Sequence, residues 1–271
     1  MSDLTDYLAF AHQLADAAAT QSLPLFRNLP QVENKLKTGG FDPVTQADRA
    51  AEAAMRAQIE SHYPNHGILG EEFDEKPRIG KEKMQWVLDP IDGTRAFISG
   101  LPTWGTLIAL NDGAAVQVGL MHQPFIGEAF YACAGGTAQW RRNDNRSGGE
   151  SEKQLKTRPC KKLDDAVLAT TSPAYFENSP QAKIWQRLAA QARLTRYGGD
   201  CYNYALLADG QLDIVVEQGL RAFDIQALIP IIECAGGIIT DWQGNSAING
   251  GQIVACGDPA RHTELLDRLN P

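Results

Sequence analysis

The stretch Trp86-Val87-Leu88-Asp89-Pro90-Ile91-Asp92-Gly93-Thr94 limits what this chain can fold into more than any other. A short apolar run ends in two acids three residues apart, with a proline between them. Pro90 has no N–H and cannot continue a sheet ladder. A buried strand is therefore expected to finish at Asp89, and in open α/β sheets ligands bind beyond such carboxyl ends. Two carboxylates this close repel, and one pKa rises unless a cation lies between them. Hard oxygen donors suit Mg²⁺ or Mn²⁺. A purely structural alternative exists, with Asp92-Gly93 a turn and Asp89 a helix cap. Gly93-Thr94 favours the first reading, because 94–100 reads as a short helix that stops at Gly100. A helix start offers unpaired N–H groups to an anion, and glycine lets a phosphate approach the backbone.

The rest of the chain supplies more acids at the ends of apolar runs. Glu71 and Glu72 follow "GIL"; a glutamate pair on a loop is ordinarily solvated surface. In "DPVTQAD", Asp42 precedes Thr45-x-x-Asp48, a capping-box pattern that opens a helix through about His62. Such a cap beside a cleft could also hold a water. Asp224 begins an apolar helical stretch, where a carboxylate also suits the helix dipole. Glu217 ends the run "DIVVE".

With 271 residues the chain is long enough for one large domain or two packed halves. Apolar stripes at Leu4, Leu8, Ala11, Leu14 and Ala18 predict an N-terminal amphipathic helix, not a secretory signal. Asp112-Gly113 and Gly135-Gly136 predict hairpins. The polar segment 141–153 is expected to separate an N-terminal α+β half, 1–145, from a C-terminal α/β half, 150–271. In the second half, strand patterns at 166–172, 212–218, 236–242 and 252–257 alternate with helical ones, one of them an unbroken helix over 222–237. The mixture implies an α/β, layered α+β architecture with helices covering sheets.

A net charge of −8 argues against general nucleic-acid binding, which needs a basic footprint. It also repels anionic substrates, a difficulty that bound cations would remove locally. Five scattered cysteines without a C-x-x-C pair suggest reduced thiols in the cytoplasm. No apolar run reaches membrane-spanning length.

Taken together, "GEE", "WVLDPIDGT", "DPVTQAD" and "GGDCYNYALLADGQLDIVVEQGLRAFD" resemble the inositol monophosphatase-like family of Mg²⁺-dependent phosphatases, from about residue 37 to about 240. The resemblance implies the αβαβα sugar-phosphatase fold, an active site between two sub-domains, and a homodimer. It implies that Glu71, Asp89 and the Ile91 carbonyl hold one Mg²⁺, that Asp89, Asp92 and Asp224 hold a second, and that Glu71 helps with a third. Gly93 and Thr94 would bind phosphate through their amides. Thr94 with Asp48, supported by Thr45, would activate the attacking water. Lys37 would steady a loop or the transferring group, with Asp42 and Glu72 in support.

Within the family the chain is most similar to the histidinol-phosphate phosphatase branch, through "DGTRAF" and "GGDCYNY". Gly198, Asp200, Glu217 and Arg95 are then the expected substrate-side residues. Asp200 and Glu217 would pair with the ammonium and imidazole of histidinol phosphate. Arg95 would either hold one of these acids or touch the ester. The rivals are an inositol-1-phosphatase, a nucleotide 3′-phosphatase and a metal-binding module without turnover.

Overall fold

The computed structural model describes residues 4–29, 32–35, 43–144, 149–177 and 179–271. The apolar stripe at the N-terminus becomes α1 (Leu4–Ser22), which buries Ala11, Leu14 and Ala18. β1 (Val32–Asn34) pairs antiparallel with β2 (Pro43–Thr45). Thr45 caps α2 (Gln46–His62), and the capping box with Asp48 is complete. β3 (Gly67–Gly70) lies parallel to β4 (Gln85–Asp92). One turn of helix, α3 (Thr94–Ile98), follows. β5 (Gly105–Asn111), β6 (Val116–Gln123), β7 (Glu128–Cys133), β8 (Gln139–Asp144) and β9 (Gly149–Gln154) then add antiparallel, in sequence order, to a seven-stranded sheet. Both expected hairpins form.

Of the polar segment 141–153, residues 141–144 lie in β8 and 149–153 in β9, which pair antiparallel at the edge of the first sheet, so described residues on both sides of the expected division belong to that sheet; 145–148 lie outside the described residues. Every residue of β9 is exposed. β8 keeps Trp140 against the core, but an edge strand such as β9, solvated on both faces, needs no apolar alternation, and its charges blunt the open edge. Sequence polarity therefore reads as loop.

The second sheet begins with β10 (Val167–Ala169). After α4 (Ala182–Gln191) come β11 (Leu194–Arg196), α5 (Asp200–Ala208) and β12 (Ile214–Leu220). The helix expected over 222–237 is broken into α6 (Ala222–Ile225) and α7 (Leu228–Cys234). Pro230 has no N–H to return to Gln226, so the helical ladder cannot run through this point. β13 (Ile238–Asp241), β14 (Gly251–Cys256) and α8 (Pro259–Leu269) complete the chain, and the sheet order is β11-β10-β12-β14-β13.

Both sheets are apolar on both faces, and that dictates five layers. On β4, Trp86 and Leu88 pack with α1 and α2, while Val87 points the other way. On β12, Val215 joins Val87 in the middle layer with α5, α6 and α7. Ile214 and Val216 face α4 and α8. The order is α1/α2, seven-stranded sheet, α5–α7, five-stranded sheet, α4/α8. At Gly119 the middle layer comes so close that a Cβ would lie 2.1 Å from the Ala227 carbonyl oxygen.

Candidate active site

β4 is where the site begins. Asp89 pairs with Leu107 and Asp92 with Gly105, so three steps on β4 oppose two on β5. The extra residue is a β-bulge at Pro90-Ile91, beside the one residue that could not join the ladder. In a regular strand, residues three apart point to opposite faces. The bulge reverses this, and both acids face the middle layer. Thr106 Oγ1 donates to the Pro90 carbonyl at 2.9 Å, and the Ile91 N–H donates to Asp89 Oδ1 at 3.0 Å. The Cys201 N–H, at the start of α5, donates to Asp92 Oδ2 at 2.7 Å. Asp224 is held by the Arg221 N–H at 2.6 Å.

Carboxylate oxygens of Asp89, Asp92 and Asp224 lie within 4.8 Å of one another. Burial, then the charges of Glu71, Asp92 and Asp224, push the Asp89 carboxyl well above its ordinary range. Asp92 is raised likewise, by burial and then by Asp200 and Asp224. Asp224 rises to about 6, chiefly by burial. Three acids this close, one buried and two half-buried, are unfavourable by themselves and form a hard oxygen donor set. The residues therefore fit a divalent cation.

Glu71 enters the same cleft from the loop after β3. That loop is fixed from α2, because buried Glu52 accepts the Glu72 N–H at 2.7 Å and pairs with Arg56 at 2.7 Å. Lys35 Nζ bonds Glu71 at 2.8 Å and Glu72 at 2.6 Å. Burial opposes the Lys35 charge, but the two glutamates outweigh it and raise its pKa. Burial lifts Glu72 to about 7. Among the described residues the lysine in the cleft is Lys35. Lys37 and Asp42 lie outside the described residues.

Asp48 is buried under the Gly93-Thr94 turn. Its Oδ2 accepts the Thr45 N–H at 2.8 Å and the Thr45 hydroxyl at 2.6 Å. Thr94 Oγ1 lies 3.1 Å from the Ile91 carbonyl and 3.5 Å from Asp48 Oδ1. Burial carries Asp48 to about 6. Gly93 has φ +85°, and a Cβ there would come within 3.0 Å of Asp200 Cβ. Glycine is needed on both counts. With only five residues, α3 has a small dipole, so its first amides matter more than its field.

Asp200 and Glu217 stand on the opposite wall of a cleft of about 730 Å³. Asp200 adopts φ +43°, a left-handed conformation that aspartate tolerates better than most residues. Burial raises it to about 6 against the opposing charge of Arg95. Glu217 accepts the Thr171 N–H at 2.6 Å and the Thr170 hydroxyl at 3.1 Å, and burial raises it to about 7. Arg95 Nη1 donates to the Tyr175 hydroxyl at 3.0 Å. Gly198, expected beside the substrate, does not line the cleft; its carbonyl accepts from Thr103 at 3.0 Å behind the wall.

Asp89, Asp92 and the Gly93-Thr94 turn share one wall of this cleft, and the family model described as the inositol monophosphatase family matches residues 3–270 of the chain. The chain belongs to this family. It is a metal-dependent phosphatase. The chain is 38% identical over 277 residues to the bifunctional phosphatase IMPL2, chloroplastic, of Arabidopsis thaliana, covering 99% of this chain and 76% of that protein. It is 33% identical over 264 residues to a histidinol-phosphatase of Chlorobaculum parvum, covering 97% of this chain and 96% of that one. The solved structure of an inositol monophosphatase from Zymomonas mobilis matches with a TM-score of 0.83 at 40% identity, over 100% of both chains. Among the described residues no helix is long and apolar enough to cross a membrane.

Proposed function

We propose that this phosphatase uses Mg²⁺ to hydrolyse L-histidinol phosphate to L-histidinol and phosphate, a step of histidine biosynthesis. The observation that carries the reading is the second acidic pair. Glu217 is buried and Asp200 half-buried in the cleft wall, outside the Asp89/Asp92/Asp224 set, with Asp200 near enough to Asp92 to raise its pKa. Drawing two further acids out of water is costly unless a cation meets them. A leaving group bearing an ammonium and an imidazole meets them, whereas inositol offers only hydroxyls. The histidinol-phosphatase relative at 33% identity supports the same substrate. The inositol monophosphatase structure at 40% identity favours inositol-1-phosphate as the second reading.

In this reading Glu71, Asp89 and the Ile91 carbonyl hold one ion, and Asp89, Asp92 and Asp224 another, with Glu71 helping a third. When bound, the ions neutralise the phosphate and supply Lewis acidity; Mn²⁺ has the same preference for oxygen donors. The Gly93 and Thr94 amides bind phosphate oxygens that gain charge in the transition state. Thr94 Oγ1 takes a proton from the water that attacks phosphorus in line as it passes its own proton to Asp48 Oδ1, 3.5 Å away, and the leaving oxygen departs with a proton from a second water. Thr45 keeps Asp48 turned toward Thr94 through the two bonds to Oδ2. Asp200 and Glu217 orient the leaving group.

The reading also carries a cytoplasmic homodimer without nucleic-acid or membrane partners, and light scattering at twice the 29.6 kDa chain mass tests the dimer. The substrate is tested by Mg²⁺-dependent phosphate release. We expect kcat/KM for L-histidinol phosphate to exceed that for inositol-1-phosphate by ~100-fold, about 2.7 kcal/mol of transition-state binding. A preference for inositol-1-phosphate overturns the histidinol assignment.

A further inference from the structure

Tyr175 is absent from every motif that points to the site, yet it lines the cleft with Asp200 and Glu217. It sits on a 3-10 turn, Pro173–Phe176, that hangs from the second sheet. Three contacts fix it. Its neighbour Phe176 is buried and stacks on Trp185 with ring centroids 4.9 Å apart. Its carbonyl accepts from the Gln218 side-chain amide. Its hydroxyl accepts from Arg95 Nη1 at 3.0 Å, and the Arg95 guanidinium lies 5.6 Å from the ring centroid. Arg95 directly follows the phosphate turn Gly93-Thr94. The phenol is therefore tied to the phosphate end of the cleft by a residue of the first sheet, while its backbone is tied to the second.

From this geometry we infer that Tyr175 is a specificity-determining residue: its ring is the stacking wall for a flat, cationic heteroaromatic leaving group, whose charge Asp200 and Glu217 offset. An aromatic face attracts a cation placed over it, and the carboxylates of Asp200 and Glu217 beside it add to that attraction. A ring held at its carbonyl, its hydroxyl and its neighbouring residue loses little freedom on binding, so its contact is cheap to form. Arg95 acts here as a positioning residue for the ring. The inference rests on the histidinol-phosphate reading and adds the part of the substrate that is read.

The test compares three esters in wild type, Tyr175→Leu and Tyr175→Phe. L-Histidinol phosphate carries the ring and the ammonium, 2-aminoethyl phosphate only the ammonium, and inositol-1-phosphate neither. Tyr175→Leu should lower kcat/KM for L-histidinol phosphate about fivefold to tenfold relative to 2-aminoethyl phosphate. The loss should fall on KM rather than kcat, because the ring is remote from the scissile bond. Tyr175→Phe keeps the ring and should keep most of the preference. An equal loss on all three esters, or none, overturns the inference while the substrate assignment stands. So does a Tyr175→Phe loss as large as that expected of leucine, a result that decides even where the leucine variant does not fold. A wild type without preference for L-histidinol phosphate overturns the assignment and the inference together.

Discussion

Replacing Asp89 by asparagine should move stability and activity in opposite directions. The carboxylate is 1% exposed and faces Asp92 and Asp224 across at most 4.8 Å. Two fully ionised carboxylates at that distance repel by about 3 kcal/mol at an effective dielectric constant of about 20. Two such neighbours would double the figure, but the raised pKa of Asp89 lets the cluster hold protons and relieves most of it. A gain of ~1–2 kcal/mol is left for the neutral amide in metal-free protein, or ~2–5 °C in Tm for a chain of this size. Asn keeps Oδ1 as acceptor for the Ile91 N–H, so the bulge survives. With cation at ~100 times Kd, wild type gains about 2.7 kcal/mol from binding. The variant should lose most of that shift and about 10²-fold or more in kcat. Thermal melts of both proteins, in chelator and in Mg²⁺, read all of this. A variant that melts below wild type in chelator, or keeps the full metal-induced shift, refutes the argument that Asp89 is a frustrated charge awaiting a cation.

Metal-free protein should lose stability as pH rises from about 4 to 7. Burial lifts Asp48, Asp200 and Asp224 to about 6 and Glu72 and Glu217 to about 7, so the folded state holds protons that the unfolded chain has released. Melts in chelator across that range check the sign; a Tm that climbs with pH contradicts it. Asp48→Asn should lower kcat by roughly 10²–10³-fold with a smaller change in KM, because it removes the proton acceptor behind Thr94. Steady-state kinetics at saturating Mg²⁺ decide, and a loss confined to KM rules the role out. Gly119→Ala should cost ~3 kcal/mol, since its Cβ would lie 2.1 Å from a backbone oxygen that cannot swing away; chemical denaturation measures it.

What the sequence shows best is whatever is local. An apolar run and two acids specify a strand and paired carboxylates within nine residues, but the strand expected to finish at Asp89 runs on to Asp92, because a bulge lets it pass Pro90 and pair again at Gly105. Thr45 and Asp48 are legible because a capping box spans four. Long-range partners are not. Lys35 reaches Glu71 and Glu72 across more than thirty positions, and no motif marks it in the sequence. Glu52 on α2 fixes the glutamate loop from twenty positions away. Tyr175 meets Arg95 across eighty, inside a stretch that carries no motif. The edge hairpin of β8 and β9 was hidden for the opposite reason, since a strand without a buried face leaves no period to read.

The two sheets divide the labour in a way that bears on how such enzymes diversify. Glu71, Asp89, Asp92 and the phosphate turn all come from the first sheet and its loops. Tyr175, Asp200 and Glu217 all come from the second, on three separate segments. Asp224 crosses over to complete the acid cluster, the Cys201 N–H crosses to Asp92, and Arg95 crosses the other way to Tyr175. Under the proposed function, changes at Tyr175 and Glu217 would therefore retune the choice of alcohol with less disturbance to the acids of the first half than changes at Asp200, which abuts Gly93.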